Sequence, residues 1–259
     1  MKLLEVAETL FNDCKNLIPF SESEVVKINS REEGYQVQDY FLEQKEKNGA
    51  GNIAGWKVAL TNIEMQKLTG INEPAEGAIF EPLIYNDNAK IKLDNYVHLG
   101  AEAEIAIRIG KNISIDSRGF SNIDEMVPYV SEVMSALEIV DDRDYGREAS
   151  LGILLGQNSM NYGCVLGEPT YMDPMKIDIL KGSLLVNGEV FGIGSGKNVL
   201  GHPLKALMWL ANSLLKRGRT LNTGDIVMTG SIATTCWPTK GDAVVANIEG
   251  LKPASLEVL

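Results

Sequence analysis

The stretch His98-Leu99-Gly100-Ala101-Glu102-Ala103-Glu104-Ile105-Ala106-Ile107 alternates with period two and reads as a β-strand. One face carries Ala101, Ala103, Ile105, Ile107 and Ile109, an apolar set suited to a core. The other carries Glu102 and Glu104, about 6.6 Å apart along a strand. At an effective dielectric of about 20, carboxylates at that spacing repel by about 2–3 kcal/mol. Glutamate is also a poor strand former, and small apolar neighbours strip the charge of water. Two readings of the pair stay open: the wet face of a half-exposed strand, or two ligands of a divalent cation. Hard cations such as Mg2+ or Mn2+ take carboxylate oxygens and keep positions for water and substrate.

Two other charged residues stand in apolar settings. Glu138 lies between Leu137 and Ile139-Val140, where a buried carboxylate needs a partner. Arg143 could be that partner, or the cation at Glu102 and Glu104 could be. Lys57 sits in the strand-like Gly55-Trp56-Lys57-Val58-Ala59-Leu60, opposite the face of Trp56, Val58 and Leu60. The plain reading of an amine in this setting is that it snorkels to solvent.

The chain's 259 residues suffice for one large domain, or a domain with a small appendage. A hydrophobic share of 44% with 23% charged residues is globular, not disordered. The net charge of −11 disfavours nucleic acid and anionic membrane as partners, while leaving room for a small anionic substrate. Cys14, Cys164 and Cys236 lie far apart without a CxxC, which excludes a structural zinc site and suggests a reducing compartment. Glu5, Glu8 and Asp13 interrupt the apolar pattern of the first residues, so no signal peptide is expected. No apolar run reaches the length of a membrane span. A soluble, cytoplasmic protein is expected.

Helical spacing predicts a first helix through Leu3, Leu10 and Leu17, and a short one over 22–27. Ser30 and Glu33 form a capping box for a second helix, which ends before Gly49 and Gly51. A short helix is expected over 62–68. Ser121–Glu125 opens another, whose apolar residues run to Ala136 and Leu137. Asn187-Gly188 marks a hairpin turn, and Pro203–Arg217, ended by Gly218, is the clearest helix. Strands outnumber helices after residue 55, so the expected class is α+β: an α-helical part over 1–54 and a β-rich catalytic body over 55–259.

Several motifs fail. Gly192-Ile193-Gly194-Ser195-Gly196-Lys197 lacks the first glycine of a P-loop, where Phe191 stands, and its Ser/Thr, where Asn198 stands. No G-x-S-x-G elbow occurs. The histidines are His98 and His202, too few for H-E-x-x-H zinc chemistry, and His202 reads as the residue before a helix.

GWKVALTN, GAEAEIAI, ALEIVDDRD, VLGHPLKALMWLANSL and GDIVMTGS, in that order, resemble the hydratase/decarboxylase branch of the fumarylacetoacetate hydrolase superfamily. The resemblance implies a mixed β-sandwich roll with an α-helical N-terminal part, often homo-oligomeric. It implies a Mg2+- or Mn2+-dependent lyase with Glu102, Glu104 and Glu138 as metal ligands and Lys57 as proton-transfer group. The TGS motif would lie in the substrate pocket, with Ser231 holding the substrate carboxylate; Ser231, Thr229 and Arg143 form the expected substrate-binding set. The implied activity is hydration of 2-hydroxypenta-2,4-dienoate. Alternatives are decarboxylation of a 2-oxo-3-enedioate (4-oxalocrotonate), acylpyruvate-type C–C hydrolysis, and a non-catalytic partner subunit. Lys57, desolvated beside a cation, is expected to titrate near neutrality. Asn62, Ala75-Glu76, Asp142 and Cys236-Trp237-Pro238 depart from the family's usual residues, and they bear on substrate rather than metal.

Overall fold

Strand β5 (Leu99–Ile109) is the long central strand its alternation predicts. The computed structural model describes residues 2–19, 28–63, 66–67, 71–143 and 150–259. Around β5 stand α1 (Lys2–Lys15), α2 (Arg31–Lys47), β1 (Ile53–Ala59), β2 (Ala75–Phe80), β3 (Ile84–Asn86) and β4 (Ala89–Ile91). After it come β6 (Val130–Asp141), α3 (Leu151–Gly156), β7 (Asn161–Leu166), β8 (Lys181–Val186) and β9 (Glu189–Ser195). The chain closes with α4 (Pro203–Lys216), β10 (Ile226–Ser231), β11 (Ala243–Ile248) and β12 (Ala254–Val258). The helix expected over 22–27, and residues 64, 65 and 68 of that over 62–68, lie outside the described residues.

The strands form two mixed sheets, ordered β2-β1-β10-β5-β6-β7-β3 and β4-β12-β11-β8-β9. β5 and β6 pack on β8 and β11, so the core lies between the sheets. Ala101, Ala103, Ile105, Ile107 and Ile109 face into it beside Leu184, Val244 and Ala246, all buried. On the other face of β5, Ala106 joins Met134, Cys164 and Met228 in a second apolar cluster. Glu102 and Glu104 continue that face, so a carboxylate there is desolvated by the sheet itself.

The helix expected from Ser121 to Leu137 is a correction. A 3-10 helix spans Ile123–Tyr129, capped by Asn122, and the chain then turns into β6. Pro128 ends the helical run, and Val130 and Val133 favour a pleated strand. Pairing with β5 from Leu99↔Asp141 to Ile109↔Val130 overrides the helical spacing. It also sets Glu138 directly opposite Glu102.

Ser30 caps α2 by accepting from the Glu33 N–H at 3.1 Å, while Glu33 accepts from the Asn29 N–H at 2.7 Å. The hairpin turn holds Asn187 at φ 54 and Gly188 at φ 83, the left-handed pair an Asn-Gly turn supplies. His202 caps α4, its Nδ1 accepting the Leu204 N–H at 3.0 Å. Among the described residues, no helix is long and apolar enough to cross a membrane.

Candidate active site

Glu102, Glu104 and Glu138 converge: one carboxylate oxygen from each lies within 4.8 Å of the others. Each carboxylate has an oxygen already held. Glu102 Oε1 accepts from the Thr235 hydroxyl. Glu104 Oε2 accepts from the Gly230 N–H at 2.8 Å. Glu138 Oε1 takes Lys57 Nζ and Asn161 Nδ2, both at 3.0 Å. The other oxygens of Glu104 and Glu138 are buried with no hydrogen-bond partner among the described residues. Orphaned buried carboxylate oxygens are costly, and a hard divalent cation satisfies both their geometry and the cluster's charge.

Lys57 reaches the cluster from β1, two strands away from β5 in the sheet. It is 4% exposed and does not snorkel. Glu138 is therefore partnered by Lys57, not by Arg143. Burial pulls the Lys57 pKa down, but Glu138, Glu102 and Glu104 outweigh it, and the net direction is up. With these carboxylates facing it, the amine is held as an ammonium. Burial, then the charge of Glu138, raises the Glu102 carboxyl, with Lys57 and Thr235 pulling back. Glu104 stands well above the usual carboxylate range through burial and the charges of Glu138 and Glu102.

A β-bulge in β10 shapes the middle of the site. Met228 pairs with Ala106 and Ser231 with Glu104, so three residues of β10 span two of β5. The surplus residue turns the Gly230 N–H toward Glu104, at φ 121, and a Cβ there would collide with the Thr61 side chain. The same bulge points the Thr229 hydroxyl at the Ile105 carbonyl, 2.7 Å away inside the sheet. Thr229 is thus a buried structural hydroxyl and does not line the cavity. Ser231 does line it.

Arg143 is also elsewhere. It is fully buried, pairs with Asp141 at 2.7 Å, donates to the Ile18 carbonyl at 3.2 Å and lies over the Tyr162 ring. Its place beside α1 follows from strand parity: Asp141 and Arg143 point away from the face of Glu138. As a substrate contact Arg143 is not supported by this geometry.

The cluster reaches, through Glu102 and Lys57, a cavity of about 540 Å³ also lined by Asp142, Ser159, Ser231 and Trp237, with apolar neighbours. One wall is a run of three left-handed residues, Asn158, Ser159 and Met160, at φ 56, 50 and 61. Such a conformation costs about 1–2 kcal/mol per non-glycine residue and needs fixing. Asn158 exchanges two hydrogen bonds with the Ala78 backbone, and the Ser159 hydroxyl donates to the Glu76 carbonyl at 2.8 Å. This turn delivers Asn161 to Glu138. Asn161, Thr235 and the Gly230 amide are site residues that the sequence reading missed. Asn161 and Thr235 carry no motif, and a main-chain donor leaves no trace in side-chain chemistry. Their partners come from 23, 133 and 126 residues away.

The sequence pattern of the fumarylacetoacetate (FAA) hydrolase C-terminal family matches residues 63–258. The chain belongs to that family. Within it, the chain is 28% identical over 218 residues to a 2-keto-4-pentenoate hydratase of Burkholderia vietnamiensis (strain G4 / LMG 22486), covering 84% of this chain and 82% of that protein. It is 26% identical over 230 residues to a 2-hydroxyhexa-2,4-dienoate hydratase of Comamonas testosteroni, covering 87% and 85%. Among solved FAA-hydrolase folds, the 4-oxalocrotonate decarboxylase from Pseudomonas putida G7, complexed with magnesium and adipate, superposes with a TM-score of 0.91. That match covers 99% of this chain and 97% of that one at 23% identity. The mixed two-sheet body with N-terminal helices is thus the family fold.

Proposed function

We propose that the protein is a metal-dependent lyase that hydrates 2-hydroxy-2,4-dienoates, with 2-hydroxypenta-2,4-dienoate as the first substrate to test. One observation supports the reading: three carboxylates meet with one lysine among them, Glu102 and Lys57 reaching the cavity, and two of the buried oxygens lack hydrogen-bond partners among the described residues. The hydratase relatives support the reaction class. Glu102, Glu104 and Glu138 would hold Mg2+ or Mn2+. Bound there, the ion would supply Lewis acidity that polarises an α-keto acid.

The chain's own residues do the rest. Hydration adds water across the diene: protons reach C3 and C5, hydroxide reaches C4, and the 2-hydroxyl gives up its proton as it becomes a carbonyl. Lys57 Nζ, protonated and 3.0 Å from Glu138, is the donor placed at the cavity wall to hand over a proton and take one back. Asn161 shares Glu138 Oε1 with that ammonium and fixes its direction. Ser231, on β10 opposite Glu104, lines the cavity with its hydroxyl donating to the Ala233 carbonyl, and would turn from that carbonyl to meet the substrate carboxylate. Neither serine nor cysteine acts as nucleophile.

Purified full-length protein with Mg2+ and 2-hydroxypenta-2,4-dienoate tests the proposal. Loss of dienoate absorbance that stops on chelation is expected. CO2 release from 2-oxohex-3-enedioate with no change in the dienoate would replace it by the decarboxylase.

A further inference from the structure

Beyond the carboxylates the cavity floor continues, and its construction points to a second determinant. β5 and β6 stay in register past the Glu102–Glu138 pair, bringing Gly100 opposite Val140. The Asp142 N–H then donates to the His98 carbonyl at 3.0 Å. Each such step is about 6.6 Å. The segment after β10 follows the same line: Ala101 and Cys236 exchange backbone hydrogen bonds at 2.9 and 3.0 Å. Thr235 therefore lies at Glu102 and Trp237 at Gly100. Glycine at 100 makes room for the indole, since a Cβ there would stand 2.8 Å from Trp237 Cζ3. From behind, the His98 ring stacks on the indole at 4.1 Å, within 6° of parallel. Trp237 is 42% exposed and lines the cavity with Leu60, Leu154 and Met160.

A 2-oxo acid whose carboxylate end faced an ion held by the three glutamates would extend roughly 5 Å from C1 to C5, four bonds of about 1.5 Å in zigzag. Laid along the floor, its tail would come one step on, at the indole. We propose that Trp237 is the specificity-determining residue of this site, a flat apolar platform selecting an uncharged, planar, unsaturated tail over one ending in a carboxylate. The inference rests on the head-group reading above and adds the class of tail. A distal carboxylate placed on this platform would lose water without gaining a cation. Among the described lining residues the cation is Lys57, already engaged by Glu138, and the charged residue at the far end is Asp142. A conjugated tail loses nothing polar and gains the indole face.

The test uses the full chain with Mg2+ at pH 8 and three substrates: 2-hydroxypenta-2,4-dienoate, its six-carbon homologue 2-hydroxyhexa-2,4-dienoate, and the dicarboxylate 2-oxohex-3-enedioate. Wild type is expected to favour the six-carbon monocarboxylate over the dicarboxylate. Trp237→Ala should shrink that kcat/KM ratio by about tenfold or more, chiefly through KM. Trp237→Phe should restore most of it, with the Mg2+ Kd by calorimetry unchanged in both variants. Titration with inert 2-oxopentanoate should quench tryptophan emission in wild type but not in Trp237→Phe, which keeps Trp56 and Trp209. A ratio within about twofold of wild type in Trp237→Ala, with the pentadienoate still hydrated, would overturn the inference and leave the hydratase reading intact. Absence of Mg2+ binding and of turnover on all three substrates would overturn both.

Discussion

The fold buries acidic side chains in two ways, and the contrast separates structure from chemistry. Glu76, on β2, is fully buried yet satisfied: Arg217 Nη1 lies at 2.8 Å, and the Ser213 and Tyr35 hydroxyls donate at 3.1 and 2.8 Å. Gln38 adds a bond to its carbonyl at 2.8 Å, and the Arg217 guanidinium stacks on the Tyr35 ring. At Glu102, Glu104 and Glu138, three acids share one lysine and leave oxygens over. A protein able to neutralise Glu76 so completely does not leave the trio short for want of cations. On the function proposed above, the deficit is where a divalent cation would be taken up.

The sharpest way to break this contrast is Glu104→Gln. With one of three acids gone, turnover should fall by about 10³-fold or more, the scale of a metal's several-kcal/mol contribution. Calorimetry should show weakened Mg2+ binding, while the metal-free variant should melt no lower than wild type, because like-charge repulsion is relieved. Unchanged activity would remove the trio as the site.

Glu76→Gln should behave in the opposite sense. It removes one of the two carboxylates on Arg217, Asp39 remaining at 2.6 Å, and unfolding in urea should show a loss of about 2 kcal/mol. Mg2+ affinity of the folded protein should stay near that of wild type. Lys57→Ala comes next, with kcat lowered by about 10²-fold, the usual weight of a positioned proton donor. Metal affinity should not fall, since a competing cation has been removed; lost binding would make Lys57 a structural tie rather than a proton carrier.

The smallest effect is in pH. Glu102 and Glu104 have folded-state pKa values above their ordinary ones. A raised carboxyl holds its proton longer in the folded state than in the unfolded one. It contributes a loss of stability as pH rises above the unfolded value of about 4.3. The difference in melting temperature between wild type and Glu104→Gln, measured in chelator, should therefore widen in the variant's favour from pH 4.5 to 7. Saturating Mg2+ should abolish the trend. A raised Lys57 acts in the same direction only at the alkaline end, where its proton is finally lost.

What the sequence disclosed and what it hid divide along the range of the interactions. The alternation of β5 is local, so the strand, its two faces and the Glu102–Glu104 pair were legible residue by residue. So were the Ser30 cap, the Asn187-Gly188 turn and α4, each fixed within a few positions. β6 was not: its helical spacing is real, and the ladder with β5 outweighs it. Thr229 and Arg143 entered the expected substrate-binding set through the family resemblance, but a bulge and strand parity decide where their side chains point. Trp237 stood out as unusual, but its seat at Gly100, 137 positions earlier, appears only in three dimensions.

The bulge in β10 has one more implication. Thr235 and Asn161 can be exchanged by point mutation, and their grip on the acids would go with them. The donor to Glu104 belongs to no side chain: it is the peptide of an extra residue in the strand, freed from the ladder by count alone. Proline at 230, which has no N–H, or a shorter chain would delete that donor; substitutions elsewhere along the strand leave the peptide in place. The least mutable support of the site is therefore a matter of length, and comparing β10 lengths among relatives would reveal whether the site persists where its side chains have drifted.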